Sequence, residues 1–271
     1  MRIASCSFGK DSLAAIITEV ERGAGIDEIV YCRIMFNKEI SAELPEHEDF
    51  IHNHAIPLLH KRYGLKTTIV QADRTYCDQL YTTYKKGKRV GWIYGFPILI
   101  GPWCNSRLKI APIKAWQKTA GEYTEIIGIA ADEEKRINRR AVQKAVLPLV
   151  ENGITEKQAF DICKRNDLLS PAYNNERTRL GCWFCHNQKV GELRRLRKEM
   201  PNLWEKLLIM DKDSPRTFTP RATVRELDER FLVEDKLSSI GLGLGRKGQI
   251  KMEMEDTRTK RSGRSEKQWR R

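Results

Sequence analysis

The chain has no run of eighteen consecutive apolar residues, so no membrane-spanning helix is expected. It opens without a charged segment leading into an apolar one, which argues against a secretory leader; a cytoplasmic location is expected. Acid is in short supply: 36 Asp and Glu face 49 Lys and Arg, a formal charge of +13. No cysteine follows Cys185, and the seven present are odd in number and irregularly spaced. That pattern speaks against a disulfide framework and for metal binding or thiol chemistry. There is no internal repeat. A Walker A loop is missing too, because Ala4 stands where its first glycine belongs and Asp11 follows Lys10.

What is present begins at once. The apolar Ile3-Ala4 run leads into Ser7-Phe8-Gly9-Lys10-Asp11-Ser12, and an amphipathic run from Leu13 to Val20 follows. Strand, tight polar turn and helix in direct succession aim backbone N–H groups and a helix N-terminus at one point, which makes an anion site. Gly9 admits a phosphate close to the backbone, Lys10 adds a mobile charge, and Ser7 and Ser12 add hydroxyl donors. The bland alternative is an ordinary strand-to-helix turn with a glycine and a cap.

Further along, strands are expected at 28–36, 67–72 and 125–130, separated by helix-sized segments. One helix is expected from Pro45 to Tyr63 with a break at Pro57 and Gly64 closing it. Others are expected over 75–86 and 106–119, the latter interrupted at Pro112. Residues 87–102, rich in Gly, Pro and aromatics, read as an irregular loop over a site. Strands alternating with helices imply βαβ units, hence an α/β fold with a doubly wound parallel sheet. After Val150 strand signals fade, and basic helix-like runs cover 155–165, 189–200, 202–210 and 221–231. From Gly191 onward 21 Lys and Arg face 14 Asp and Glu. Three regions are expected: a nucleotide-binding α/β domain over 1–150, a helical basic extension over 151–240, and a flexible basic tail over 241–271. The basic excess favours a polyanionic partner such as a nucleic acid.

In doubly wound sheets ligands gather at the C-terminal strand ends. The first strand is expected to end at Ser7, the second near Met35 and the fourth near Gly128. An adenosine ring would lie against Ile34–Phe36, with Gly128 leaving room for ribose or phosphate. Close strand–helix packing is the other reading of Gly128. Cys104, Arg107 and Lys109 lie together in Cys-Asn-Ser-Arg-Leu-Lys-Ile, and Glu133 and Arg136 follow the strand end Gly-Ile-Ala-Ala-Asp. Cys6, Cys32 and Cys77 read as buried free thiols. His47, His52, His54 and His60 share one expected helix but make no pair at i, i+3 or i, i+4, and read as surface residues.

The 7–12 loop resembles the Ser-Gly-Gly-x-Asp-Ser loop of the PP-loop ATP pyrophosphatases, with Phe8 in place of the first glycine. Together with Cys104-x-x-x-Leu108-Lys109-Ile110 and Gly128-Ile129-Ala130-Ala131-Asp132-Glu133, it resembles the phosphoadenosine-phosphosulfate reductase-like branch of that superfamily, over about residues 1–190. The resemblance implies an adenine-nucleotide α-hydrolase-like fold with a five-stranded parallel sheet. It implies that Ser7, Phe8, Gly9, Lys10, Asp11 and Ser12 bind phosphates, with Met35, Gly128 and Glu133 completing the nucleotide site. Arg107, Lys109, Glu133 and Arg136 would line the cleft, with Lys10, Asp11, Arg107, Lys109 and Arg136 serving catalysis.

The turn Gly181-Cys182-Trp183-Phe184-Cys185-His186 places two thiols to grip one metal or cluster. A redox dithiol and plain structural cysteines are the other readings. Cys104 would be the third ligand, and His186 or Cys163 the fourth. Family members with this cysteine arrangement look like iron–sulfur proteins, and zinc stays open beside an iron–sulfur cluster. Sulfonucleotide reduction, the family's other chemistry, uses a C-terminal Glu-Cys-Gly-like segment that this chain lacks. The expectation is therefore an ATP pyrophosphatase, using ATP and Mg²⁺ to adenylylate a substrate, a nucleic acid, for thiolation, with a sulfur-donor protein as a further partner. The alternatives are a sulfonucleotide reductase, and a non-catalytic nucleotide- or nucleic-acid-binding protein with a structural metal site.

Overall fold

β1 (Arg2–Ser5) is apolar on both faces, Ile3 and Ala4 being fully buried, as a central parallel strand must be. It is flanked by β2 (Glu28–Arg33) and then β3 (Lys66–Gln71) on one side, and by β4 (Thr124–Ile127) and β5 (Ala145–Val146) on the other. The computed structural model describes residues 1–97, 100–140, 145–173, 177, 179–244 and 250–252. All four pairings of the five strands are parallel, in the order β3-β2-β1-β4-β5. The chain winds outward from β1 in one direction and then in the other, so the crevice between β1 and β4 is the switch point where such sheets hold ligands.

The strands are shorter than expected at their C-terminal ends. They stop at Ser5, Arg33 and Ile127 because the chain turns there to build loops, although the Cys6 amide still donates to the Val30 carbonyl at 2.9 Å. β3 is an edge strand and reads so: Lys66 and Gln71 are exposed and Ile69 is 44% exposed.

α1 (Lys10–Glu21) is buried nearly all round, with Leu13, Ala14, Ala15, Ile16 and Ile17 at 1% exposure or less. Burying each of its large aliphatic side chains stabilises the fold by roughly 1.5–3 kcal/mol. It lies between the sheet and the helices α7 (Pro148–Glu151) and α8 (Glu156–Arg165), and Leu149, Ala159, Cys163 and Leu168 close this core. Gly128, just beyond β4, decides how near α1 comes. A methyl group there would overlap the Asp11 carbonyl and sit 2.6 Å from Ser12 Cα. Gly128 thus takes the close-packing role.

Pro45 to Tyr63 is continuous: α2 (Pro45–Asp49), a π-helical stretch (Phe50–Ala55) and α3 (Ile56–Tyr63). Pro57 does not break it; it falls where the π-helical stretch passes into α3. Helix α4 (Tyr76–Leu80) ends well before Lys86, because Thr82 to Tyr94 folds back on itself instead. Cys104–Ile110 is π-helical and passes into α5 (Ala111–Gln117), with Pro112 again at the junction. α6 (Glu134–Arg140) follows β4.

α9 (Val190–Glu199) and α10 (Pro201–Asp213) pack together through Leu193, Leu196, Leu203 and Leu207. A second compact unit begins at Val224 with α11 (Val224–Ser238), on which β6 (Leu242–Leu244) packs. β6 pairs antiparallel with β7 (Ile250–Met252), a strand pair where only flexible chain was expected. The basic tail from 253 on lies outside the described residues.

Candidate functional site

The loop leaving β1 is organised by its own side chains. The Ser7 amide donates to Ser12 Oγ at 3.3 Å, the Phe8 amide to Cys6 Sγ at 3.2 Å, and Ser12 Oγ donates to the Gly9 carbonyl at 2.9 Å. Phe8 sits at φ 56°, in the left-handed region that favours glycine. Its ring is fully buried and meets Tyr31 of β2 edge-on at 5.2 Å. Phe8 therefore shapes the loop and anchors it to the core; its side chain does not face a ligand. Gly9 is the N-cap of α1, so Asp11 lies inside the first turn and is not the cap.

Lys10 is nearly buried, and its Nζ lies 2.7 Å from Asp11 and 3.6 Å from Glu156. Its amide donates at 3.0 Å to the Tyr173 hydroxyl, which also stands over Gly9. A phenol oxygen thus occupies the place at the N-terminus of α1 that an anion would take. Burial raises the Tyr173 phenol well above its usual range, so the group is a neutral O–H there.

β4 delivers the acids. Beyond it the Ala131 amide donates to the Ile154 carbonyl at 2.8 Å, and Asp132 accepts from the Glu156 amide at 3.0 Å, which pins the start of α8 beside the strand end. Glu133 accepts from the Ala130 amide at 3.3 Å and from Arg136 at 2.6 and 2.7 Å. Among the described residues, Asp11, Glu133 and Glu156 form the group of potential ligands lying within 4.8 Å of one another. Burial raises the Asp11 pKa, Lys10 opposes this, and the charges of Glu156 and Glu133 add to the rise.

A second neighbourhood lies past the end of β2. Phe36, Tyr76, Trp103, Trp183 and Phe184 form an aromatic cluster, with Tyr76 at 4.2 Å from Phe184 and 4.9 Å from Trp103 between ring centroids. These contacts gather the chain around Cys104 and the Cys182–Cys185 turn. Cys104, Cys182 and Cys185 all bear on the fully buried Tyr76 hydroxyl, which has no hydrogen-bond partner among the described residues. The turn is tight: the Cys185 amide donates to the Cys182 carbonyl at 3.0 Å, and Gln188 Nε2 donates to the same carbonyl at 2.8 Å. Trp183 Nε1 donates to the Ser41 carbonyl at 2.9 Å and fixes the turn to the chain beyond β2. Burial pushes the Cys104 thiol up to about 11 and raises Cys182 and Cys185 as well. His186 is buried and held neutral by that burial, and its Nε2 has no partner. The three sulfurs are not drawn within 4.8 Å of one another.

The structure therefore separates the expected residues into two groups. Ser7, Gly9, Lys10, Asp11, Ser12, Glu133 and Arg136 assemble at the ends of β1 and β4. Met35, Lys109, Cys104, Cys182, Cys185 and His186 belong to the second neighbourhood. Lys109 bears on Cys182 and on Glu43, whose carboxyl burial raises to about 7. Beside Trp183 is a cleft of about 470 Å³ lined by Arg33, Ser41, Glu43, Glu48, His52 and Trp183. Arg107 turns the other way, to Gln79 Oε1 at 2.9 Å and over the Tyr94 ring at 4.9 Å. Cys163 is not with Cys104, Cys182 and Cys185; it lies under α1 and donates to the Lys10 carbonyl at 3.1 Å.

Three contributors escape the sequence reading. Glu156 and Tyr173 are distant in sequence from the loop and carry no motif. His47 was expected on the surface, yet it is 1% exposed, with Nδ1 2.9 Å from Ser170 Oγ. Its place among Leu44, Phe50 and Ile51, an apolar stripe, was the available signal.

No protein-family model matches the chain. Over 212 residues it is 24% identical to an uncharacterized protein of Methanocaldococcus jannaschii, a match covering 74% of this chain and 39% of that protein. The chain thus spans well under half the length of that curated relative.

Burial pushes the His47 imidazole down from 6.5 to about 4, opposed by the Ser7 backbone and the Glu48 charge. The unfolded chain then binds a proton before the folded one, so His47 withdraws up to about 3 kcal/mol of stability as pH falls through 6.5 toward 4. Glu43, raised in the same window, acts in the opposite sense. The expected outcome is therefore a difference: urea unfolding over a pH series should show the wild type losing about 3 kcal/mol more than His47→Gln between pH 8 and 4. Parallel curves would remove this account of His47.

Proposed function

We propose that the chain is an ATP pyrophosphatase of the phosphoadenosine-phosphosulfate reductase-like branch of the PP-loop superfamily, acting in sulfur transfer to a nucleic acid. One observation carries this reading: Lys10 and the N-terminus of α1 meet a close carboxylate group at the switch point of a parallel sheet. The resemblance in the loop 7–12 then supplies the ligand, the polyphosphate of ATP.

On this reading the β- and γ-phosphates take the place of the Tyr173 hydroxyl at the Lys10 amide, and Lys10 Nζ turns from Asp11 toward them. Asp11, Glu133 and Glu156 fit a hard divalent cation, because they offer oxygen ligands at close range. Mg²⁺ bound there would neutralise phosphate charge. A nucleophilic oxygen of the substrate attacks the α-phosphorus, the bond to the β-phosphate oxygen breaks, and pyrophosphate leaves. The α1 N-terminus and Lys10 stabilise the charge that develops on the leaving group. Arg136, held by Glu133, stands ready to neutralise the adenylyl group. Sulfur would then displace AMP, with a sulfur-donor protein as the source.

The cysteine neighbourhood fits a metal centre better than a redox dithiol. A reactive thiol needs a lowered pKa, whereas burial raises all three here, and a bound metal would deprotonate them outright. Thiolates of Cys104, Cys182 and Cys185 suit an iron–sulfur cluster, whose ligands bind separate irons, and they equally suit zinc. The partnerless His186 Nε2 and Tyr76 hydroxyl are the buried polar atoms such a group would satisfy.

Pyrophosphate release from ATP–Mg²⁺ should appear with a suitable RNA or DNA substrate and fall about 100-fold in Lys10→Ala. Release that is absent with every nucleic acid tried would leave a non-catalytic binding protein as the better reading, and release undiminished in Lys10→Ala would remove Lys10 from the chemistry. Anaerobically purified protein should carry iron and a visible absorption band, both lost in a Cys182→Ala/Cys185→Ala variant. Zinc in place of iron would identify a structural site, and a colourless, metal-free protein would end the metal proposal.

A further inference from the structure

From Gln79 to Gly121 the chain contains no Asp or Glu, yet it carries eight Lys and Arg. Half of these, Lys85, Lys86, Lys88 and Arg89, crowd the tip of a short hairpin. Its arms are joined by the Tyr94 amide donating to the Thr82 carbonyl at 2.8 Å and the Tyr84 amide donating to the Trp92 carbonyl at 2.9 Å. Thr83 and Ile93 pair antiparallel, and Gly87 and Gly91, at φ 83° and 84°, make the reversals. Every residue from Lys85 to Trp92 is exposed, including Trp92 at 56% and Val90 at 59%.

The base of the hairpin is held firmly. Tyr84 and Tyr94 pack at 4.6 Å, the Arg107 guanidinium lies over Tyr94, and Arg216 donates to the Tyr84 hydroxyl at 2.7 Å. Trp103 Nε1 donates to the Gly95 carbonyl at 3.3 Å, which ties the base to the segment that begins at Cys104. An aromatic residue that costs apolar exposure, beside an acid-free basic tip on a rigid base, has the composition of a stacking platform with a phosphate-binding rim.

We propose that this hairpin, Thr82 to Tyr94, binds single-stranded nucleic acid, with a base stacked on Trp92 and the backbone on Lys85, Lys86, Lys88 and Arg89. A single strand is favoured over a duplex because Trp92 offers a ring face and a duplex keeps its base faces stacked within itself. It is favoured over an anionic membrane because two exposed apolar residues offer little surface for insertion. The inference rests on the nucleic-acid half of the proposed function and places the strand beside the Cys104 segment.

Binding of labelled single-stranded RNA and DNA, followed by fluorescence anisotropy without ATP, tests it. The wild type should bind both, and Trp92→Ala should weaken binding about tenfold while Trp92→Phe keeps most of it. Replacing Lys85, Lys86, Lys88 and Arg89 with alanine should weaken binding further and flatten the log–log salt dependence by about 3, at about 0.7 per phosphate contact. All five positions are exposed, and unchanged circular dichroism and melting would confirm intact folding. No single-strand binding, or equal binding by all variants, would overturn the proposal. So would phosphatidylserine vesicles or duplex DNA binding as tightly as single strands with no effect of Trp92→Ala. Strand binding that depends on the hairpin, with no pyrophosphate release from any substrate, would sustain this inference while overturning the enzyme reading.

Discussion

The approach of α1 to the end of β4 over Gly128 is the constraint on which the rest depends. It sets the first turn of α1 against the second half of the sheet, so the loop leaving β1 and the acids following β4 share one crevice. A helix held one side chain further out would part Lys10 and Asp11 from Glu133 and Glu156. The apolar burial of α1 supplies the force for this contact, and the glycine supplies the space.

Phe8 is the second fixed point. A buried aromatic in the left-handed region links the loop to β2 through Tyr31, whose hydroxyl in turn feels Glu43 and Cys182. The loop after β1 is thus tied to β2 by a packed aromatic contact, on the side where Tyr31 faces the charges of the cysteine neighbourhood. Non-glycine residues in this region carry strain that the surrounding core must offset, and such strain is found where a loop has to keep one shape.

Much of this was legible in the residues themselves. Buried parallel strands announce themselves as short apolar runs, which is why β1, β2 and β4 were found and their parallel arrangement inferred. The edge of the sheet was harder: β5 is two residues long and has no pattern to read. The loop at 7–12 was visible because glycine, lysine and hydroxyls coincide at a strand-to-helix turn. What holds its place was not visible, since Tyr173 and Glu156 arrive from more than a hundred residues away by tertiary packing. Periodicity also misplaced His47, because counting i, i+4 pairs tests for a metal site and says nothing about a single polar residue on an apolar stripe. Arg107 belonged to a legible motif, yet the π-helical stretch from Cys104 carries it toward Gln79 and Tyr94 rather than the 7–12 loop.

The central claim is that the bend after β1 holds a polyphosphate. The most direct measurement is a crystal structure of the full chain with a non-hydrolysable ATP analogue and Mg²⁺. The account predicts phosphate oxygens at the Gly9 and Lys10 amides and at Lys10 Nζ, with the Tyr173 hydroxyl displaced from its present position. An analogue bound elsewhere, with Tyr173 still bonded to the Lys10 amide, would contradict it.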